Sequence, residues 1–419
     1  MLEKVGLSKF WRSILFVFQG QVLAQLIPIL SYIIIARLID AEYFGLFAVW
    51  FGIAKLYSII VTLRLETAIV NEPQGYERDK GVVFVILTAI LISFLFIAVT
   101  TIMYFLAPDS WSAMPSLAWI LLGPCALFLA CDITLQTWAA ADGRYGDLNK
   151  IRLVQASLMS TLQIFLVYLL RDSNALIIGS CLGCFLALLI SNIIWPLKGV
   201  SSTQVLTDLK AFWSKHKRFP MYSLPADSVS SFVAQLPVVI VGSRFGLDIA
   251  GQLALTLKMM AAPVGLLGRA VQDVFKRHAA IDFAKLGNCA ALYKKMFMVL
   301  APGAMLFILV TIAIGEEMFV LVFSDEWRQA GKYAVLLSPS FALGFVASPL
   351  SYIVYIVSRQ NVDLIWQIIL LLTVLLALLT PPDIFTTLLT YAAGYSLMYI
   401  GYIAISYRLS LGDSITRAV

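Results

Sequence analysis

Leu63-Arg64-Leu65-Glu66-Thr67-Ala68-Ile69 closes an apolar run that begins near Tyr43 and ends at Val70. As a helix the run is long enough to cross a bilayer, which takes about 20 residues. It nevertheless carries Lys55, Arg64 and Glu66. On insertion scales, a charge near the middle of a membrane helix costs about 2.5–3.5 kcal/mol. Such side chains turn toward a bundle interior or an aqueous cavity. The stretch therefore predicts a polytopic membrane protein whose interior holds charge.

Composition agrees. The 419 residues are 61% hydrophobic and 13% charged, where soluble domains carry about 25% charged residues. Continuous apolar runs, rather than short alternating segments, exclude a transmembrane β-barrel. The net charge of +6 is no nucleic-acid footprint, because in such a chain the placement of basic residues is what matters. The segment from Ser13 to Ala36, behind Lys4, Lys9 and Arg12, is too long for a signal-peptide core and lacks a small-residue cleavage site. It is expected to be an uncleaved first helix. Of the five cysteines, Cys125, Cys131, Cys181 and Cys184 lie in apolar runs, which argues against a disulfide framework. Cys181-Leu-Gly-Cys184 has no His or acidic companion and reads as small packing residues.

Apolar runs separated by polar turns predict an all-α integral membrane protein with twelve transmembrane helices. They fall at 13–36, 43–70, 82–107, 117–141, 151–170, 175–197, 220–243, 249–275, 292–314, 331–357, 361–380 and 384–407. Most Lys and Arg fall in alternate loops and in both tails, among them Arg144, Lys150 and Arg152. The intervening loops hold only Arg37, Arg171, Arg244, Arg328 and Lys332. That bias places both termini in the cytoplasm.

The basic connector 198–219 divides an N-terminal six-helix lobe, 1–197, from a C-terminal one, 220–419. An internal repeat supports the division. Ala24-Gln-Leu-Ile-Pro28 is echoed by Ala234-Gln-Leu-Pro237, Asp109-Ser-Trp111 by Asp325-Glu-Trp327, and Pro124 by Pro339. Arg144 with Asp147-Leu148 is echoed by Arg359 with Asp363-Leu364, all at a nearly constant offset. Six helices per repeat imply lobes of like orientation, related by a pseudo-twofold axis along the membrane normal.

The intramembrane charges are Lys55, Arg64, Glu66 and Asp132 in the first lobe, and Lys258, Arg269 and Asp273 in the second. Lys258 and Arg269 are about three turns apart and share a helix face. Arg269 and Asp273, at i and i+4, can neutralise one another. Arg64 and Glu66, two apart on a helix, point different ways, so Glu66 is not expected to silence Arg64. One reading has Lys55, Arg64, Lys258 and Arg269 lining a cationic cavity between the lobes, for an anion. Arginine's planar fork suits phosphate oxygens, and lysine supplies a point charge. The other has Arg64 and Arg269 snorkelling from helix ends to the interface. Asp132 is either a carboxylate coupled to H⁺ or Na⁺, or the partner of a buried cation. Pro28 and Pro237 are candidate hinges on helices with polar stripes (Gln21 and Gln25; Ser230, Ser231 and Gln235). Those stripes serve equally as glue between helices.

There is no phosphate-binding P-loop, no metal-ligand cluster and no nucleophile triad, and His216 and His278 lie far apart. Short external loops argue against a glycan polymerase or ligase. The chain is expected to be no enzyme and to carry no cofactor.

Ile35-Ala-Arg-Leu38 followed by Glu42-Tyr-Phe-Gly-Leu46, then Leu63-Arg-Leu-Glu-Thr-Ala-Ile69, resembles the opening two helices of bacterial polysaccharide-biosynthesis flippases. These belong to the multidrug/oligosaccharidyl-lipid/polysaccharide exporter superfamily. The resemblance implies transport of undecaprenyl-pyrophosphate-linked oligosaccharide repeat units across the bacterial inner membrane. They would serve O-antigen or exopolysaccharide synthesis, with a glycan polymerase as partner. It carries a substrate-binding role to Arg64. The alternative within the superfamily is a small-molecule multidrug antiporter.

Overall fold

The computed structural model describes residues 2–106, 114–194, 205–357 and 359–412. Within its helices, the side chains of 2–18, 100, 103–106, 193–194, 205–206, 226, 269–270, 273–274 and 277 stand outside that description. Backbone contacts gather the chain into two compact units, 1–235 and 236–419. The division falls inside the helix that follows the connector.

The first unit contains α1 (Leu2–Ile35), α2 (Ala41–Val61), α3 (Tyr76–Leu106), α4 (Ser116–Ala141), α5 (Tyr145–Leu170), α6 (Ser173–Ile194) and α7 (Val205–His216), and it ends within α8 (Leu224–Phe245). The second unit holds the rest of α8, α9 (Leu247–Leu286), α10 (Ala290–Phe323), α11 (Arg328–Leu350), α12 (Ile353–Ile356), α13 (Gln360–Leu379) and α14 (Ile384–Ser410). Among the described residues, eleven helices are long and apolar enough to cross a membrane, and Gln19–Ile35 of α1 forms a shorter apolar stretch. Unpaired backbone cannot face lipid, so helices are how such runs satisfy their peptide groups.

The expected span 43–70 is not one helix. It stops at Val61, turns, and resumes as a 3₁₀ helix over Leu65–Asn71. The break is made by Leu63 (φ 52°) and Arg64 (φ 58°), two consecutive residues in the left-handed region. For non-glycine residues that conformation costs about 1–2 kcal/mol each. Burial behind the break offsets the cost. Leu65 and Ile69 pack with Val82 and Val85 of α3, Trp138 of α4, Ile151 of α5 and Phe212 of α7. The turn also satisfies itself, since the Thr67 hydroxyl donates to the Arg64 carbonyl at 2.6 Å.

The connector is also structured. Its helix α7 is amphipathic and lies on α3. Leu209 and Phe212 enter the core, and the Trp213 indole N–H donates to Thr88 Oγ1 at 2.9 Å. Two ion pairs border that seam, Lys80 with Asp208 at 2.6 Å and Lys215 with Glu72 at 2.7 Å. A five-residue π-helix, Phe219–Ser223, then leads into α8.

Close packing in the first unit rests on glycine. A Cβ at Gly179 would come within 2.8 Å of Gln163 Cα, and one at Gly183 within 2.4 Å of Met159 Cα. Gly179 and Gly183 form a small-x-x-x-small pair that lets α6 approach α5. The expected packing role of Cys181 and Cys184 is compatible, since both are buried free thiols. Apolar side chains such as Leu91, Phe94 and Leu95 of α3 point outward, which is the face a bilayer covers.

In the second unit, Gln252 of α9 spans to the start of α11. It donates to the Glu326 carbonyl at 2.9 Å and accepts from the Ala330 N–H at 2.9 Å. The Tyr293 hydroxyl donates to the Ile403 carbonyl at 3.0 Å, tying α10 to α14. One pair of echoed stretches adopts like local structure. Arg144 immediately precedes α5 with Asp147 in the first turn, and Arg359 immediately precedes α13 with Asp363 in its first turn. Asp109 to Trp111 lies outside the described residues.

Candidate functional site

The first unit contains a cleft, with polar and charged groups set in a largely apolar lining, bordered by α1, α2, α4, α5 and the start of α8. One part, of about 410 Å³, is lined by Lys55, Asp132, Gln136, Gln155, Ser230 and Gln235, among others. An adjoining part, of about 320 Å³, shares Lys55, Gln136 and Gln155 and adds Gln21, Gln25, Pro28 and Arg152. Lys55 is exposed to the cleft, and its ammonium lies 4.9 Å from the centre of the Phe51 ring, within cation–π range.

Asp132 is buried on α4. One turn later, Gln136 Nε2 donates to Asp132 Oδ2 at 2.6 Å. The other end of that amide, Oε1, accepts from Arg152 Nε at 3.0 Å. Gln136 thus bridges a buried carboxylate to a guanidinium on a different helix. The arrangement orients both charges without joining them in a direct ion pair. Lys55, Arg152, carboxamides and hydroxyls together offer one wall able to hold an anion and many donors and acceptors able to hold hydroxyl groups.

The sequence places Arg152 at a loop, because the apolar run begins beside it. It actually lies in the second turn of α5, half-buried. The spacing of Arg152, Gln155 and Met159, at i, i+3 and i+7, puts them on one helix face, and that was the available signal.

Arg64 is placed differently from expectation. It is not among the cleft-lining residues. Its Nε donates to Asp227 Oδ2 at 2.6 Å and its Nη1 to Glu66 Oε1 at 2.9 Å. The expectation that Glu66 would point away is corrected. The left-handed turn replaces helical geometry and folds the two side chains together. Glu66 is buried, and its Oε2 has no hydrogen-bond partner among the described residues.

Lys258 sits on α9 of the second unit, part-buried, with its ammonium nitrogen shielded from solvent. Arg269 and Asp273 are on the same helix, but their side chains lie outside the described residues. Pro28 is within α1, where the Ser31 hydroxyl donates to its carbonyl at 2.8 Å, and it borders the cleft. Pro237 is within α8.

Beyond the cleft, Glu72 gathers Lys215 and His216 of α7. Burial pushes its carboxyl up, but hydrogen bonds from Lys215 and His216 outweigh that and hold it below the ordinary range.

A family model described as polysaccharide biosynthesis protein matches residues 34–332. The chain belongs to that family. This member of the polysaccharide biosynthesis family is a multi-pass membrane protein, and solved structures share its fold. The lipid II flippase MurJ, in an inward closed conformation, superposes with a TM-score of 0.65 at 16% identity, covering 94% of this chain and 87% of that one. An inward-facing multidrug resistance MATE family transporter of the MOP superfamily gives 0.59 at 12% identity, covering 94% and 96%. The MATE multidrug transporter DinF-BH, in complex with R6G, gives 0.56 at 14% identity, covering 94% of each. Identities this low establish the fold alone. Among curated proteins, no match is found.

Proposed function

We propose that the chain is a flippase for lipid-linked oligosaccharides, moving undecaprenyl-pyrophosphate-linked repeat units across the bacterial inner membrane for O-antigen or exopolysaccharide synthesis. The observation that carries this reading is the cleft of the first unit. Lys55 and Arg152 offer positive charge to a pyrophosphate, and Gln21, Gln25, Gln136, Gln155 and Gln235 offer carboxamides to sugar hydroxyls. The family match supports it, as does the likeness in fold to a lipid II flippase. A pyrophosphate cannot cross hydrocarbon uncompensated, because isolated charge is too costly there. A cleft that presents cations and carboxamides lowers that barrier while the prenyl chain remains in lipid. In the second unit, Lys258 and Arg269 are the proposed counterpart cations. Both termini face the cytoplasm in this reading, and a glycan polymerase consumes the product outside.

Asp132, buried beside the cleft, is the proposed coupling group if a proton or sodium gradient drives the cycle. It is also the observation that favours a second reading, a multidrug antiporter, since an acid in a cleft suits a cationic drug.

The test is surface polysaccharide in cells carrying Lys55→Ala with Arg152→Ala. At normal membrane levels of the protein, surface glycan falls and lipid-linked units accumulate. Unchanged glycan, with resistance to a cationic dye lost instead, sinks the flippase reading in favour of the antiporter.

A further inference from the structure

We infer that the Arg64–Asp227 ion pair is a latch on the cleft, holding the start of α8 in place and releasing it to admit a ligand. Three independent features lead there.

The first is where α8 stands. Ser230, Ser231, Ala234 and Gln235 of α8 line the cleft together with Lys55, Ser58 and Ile59 of α2. Asp227 lies one turn before Ser230.

The second is how little else holds it. Among the described residues, no other helix makes an extensive backbone contact along α8, and its far end is tied by Arg244, which donates to the Leu378 and Pro381 carbonyls. At its base, the π-helix Phe219–Ser223 touches the 3₁₀ helix Leu65–Asn71. Besides that contact, the hydrogen-bonded tie at this end is Arg64 Nε to Asp227 Oδ2 at 2.6 Å.

The third is the shape of the two anchors. Arg64 is held in a left-handed turn, and conformations of that kind persist where surrounding structure over-determines them. The turn aims the guanidinium at two carboxylates at once. Glu66 fixes it from the buried side, while Asp227, 42% exposed in its side chain, takes the other edge. One partner is therefore permanent and the other replaceable. The wide π turn with Pro220 at its start interrupts regular helix just before α8 and is the proposed pivot, π turns being frequent at functional sites.

A half-exposed pair of this kind is weak enough to open on a functional timescale. It is weakened by salt, because exposed charges are screened over about 10 Å at 0.1 M. Arg64 then regulates access to the cleft and does not itself line it.

The experiment reads cleft access and uses no transport substrate. Ser231→Cys is introduced into the full chain, whose native cysteines are all buried, and the purified protein is labelled with a charged thiol reagent in lipid nanodiscs. Adding Asp227→Asn raises the labelling rate about ten-fold, and adding Asp227→Glu leaves it within about two-fold. With Arg64 and Asp227 intact, about 1 M salt accelerates labelling several-fold, and the Asp227→Asn chain shows no such response. Labelling rates indifferent both to Asp227→Asn and to salt overturn the latch. The salt arm stands even where the variant folds poorly. Because no substrate enters, the latch can fail while the flippase reading holds, and the reverse.

Discussion

Arg64 Nε meets Asp227 Oδ2 at 2.6 Å across 163 positions of the chain, while its Nη1 holds Glu66 Oε1 at 2.9 Å. The buried carboxylate of Glu66 depends on that guanidinium, since its second oxygen has no hydrogen-bond partner among the described residues. Removing one member of a buried pair leaves the other uncompensated, which costs about 1–3 kcal/mol for a buried polar group. Arg64→Ala is expected to lower stability by about that amount, and Arg64→Lys by less. Thermal unfolding of the purified variants checks the order. Equal midpoints for Arg64→Ala and the native chain count against the pairing.

Glu72 gives a pH dependence of known sign. Its folded carboxyl is held below the ordinary value because Lys215 and His216 bond to it and outweigh the effect of burial. A group depressed on folding contributes stability that is present above its unfolded pKa, about 4.3. That stability is lost as pH falls through the folded value. The native chain should lose stability below about pH 4 through this group, and Glu72→Gln should lose less over the same interval. Melting midpoints between about pH 6 and pH 3 measure it, and parallel curves for the two proteins rule it out.

The packing of α5 on α6 makes a sharper mutational contrast. A Cβ at Gly183 would lie 2.4 Å from Met159 Cα, whereas one at Gly146 would meet nothing within 4 Å. Overpacking against backbone costs about 1–3 kcal/mol, so Gly183→Ala should be destabilised by roughly that much. Gly146→Ala should be neutral or slightly stabilised, since alanine restricts the unfolded chain. Comparable midpoints for the two variants would mean that the helices do not approach through Gly183.

Asp132→Asn tests coupling. Asparagine keeps the shape and can still accept from Gln136, so the fold should survive while the charge is lost. If Asp132 senses a proton or sodium gradient, the variant transports at a rate that no longer responds to that gradient. A rate that follows the gradient as in the native chain assigns Asp132 a purely structural role.

Much of the architecture was legible because long apolar runs leave helices as the only way to satisfy the backbone in lipid. The eleven described helices long and apolar enough to cross a membrane fall on eleven of the twelve expected runs, a shorter apolar stretch marks the first, and α7 lies outside them in the connector. The break at Leu63 and Arg64 was not legible, because the stretch from Ile53 to Val70 carries no glycine or proline of the kind that usually marks a turn. Tertiary burial of Leu65 and Ile69 holds the left-handed residues there. The same break explains why Arg64 and Glu66 were read as diverging when they meet. Lys55 and Asp132 were legible as expensive charges, and both border the cleft. Arg152 was missed because it sits where the polar loop and the helix overlap in sequence. Asp227 was missed because its partner lies in a distant segment, which no local pattern reports.

The most direct measurement of the central claim is translocation in a defined bilayer. The purified chain is reconstituted in liposomes with a fluorescent undecaprenyl-pyrophosphate oligosaccharide, and its exposure on the opposite leaflet is followed by a membrane-impermeant quencher. The native chain should equilibrate the two leaflets well before protein-free liposomes do, and Lys55→Ala with Arg152→Ala should slow it at least ten-fold. Leaflet exchange no faster than in protein-free liposomes, by a chain shown to be folded, would contradict the account.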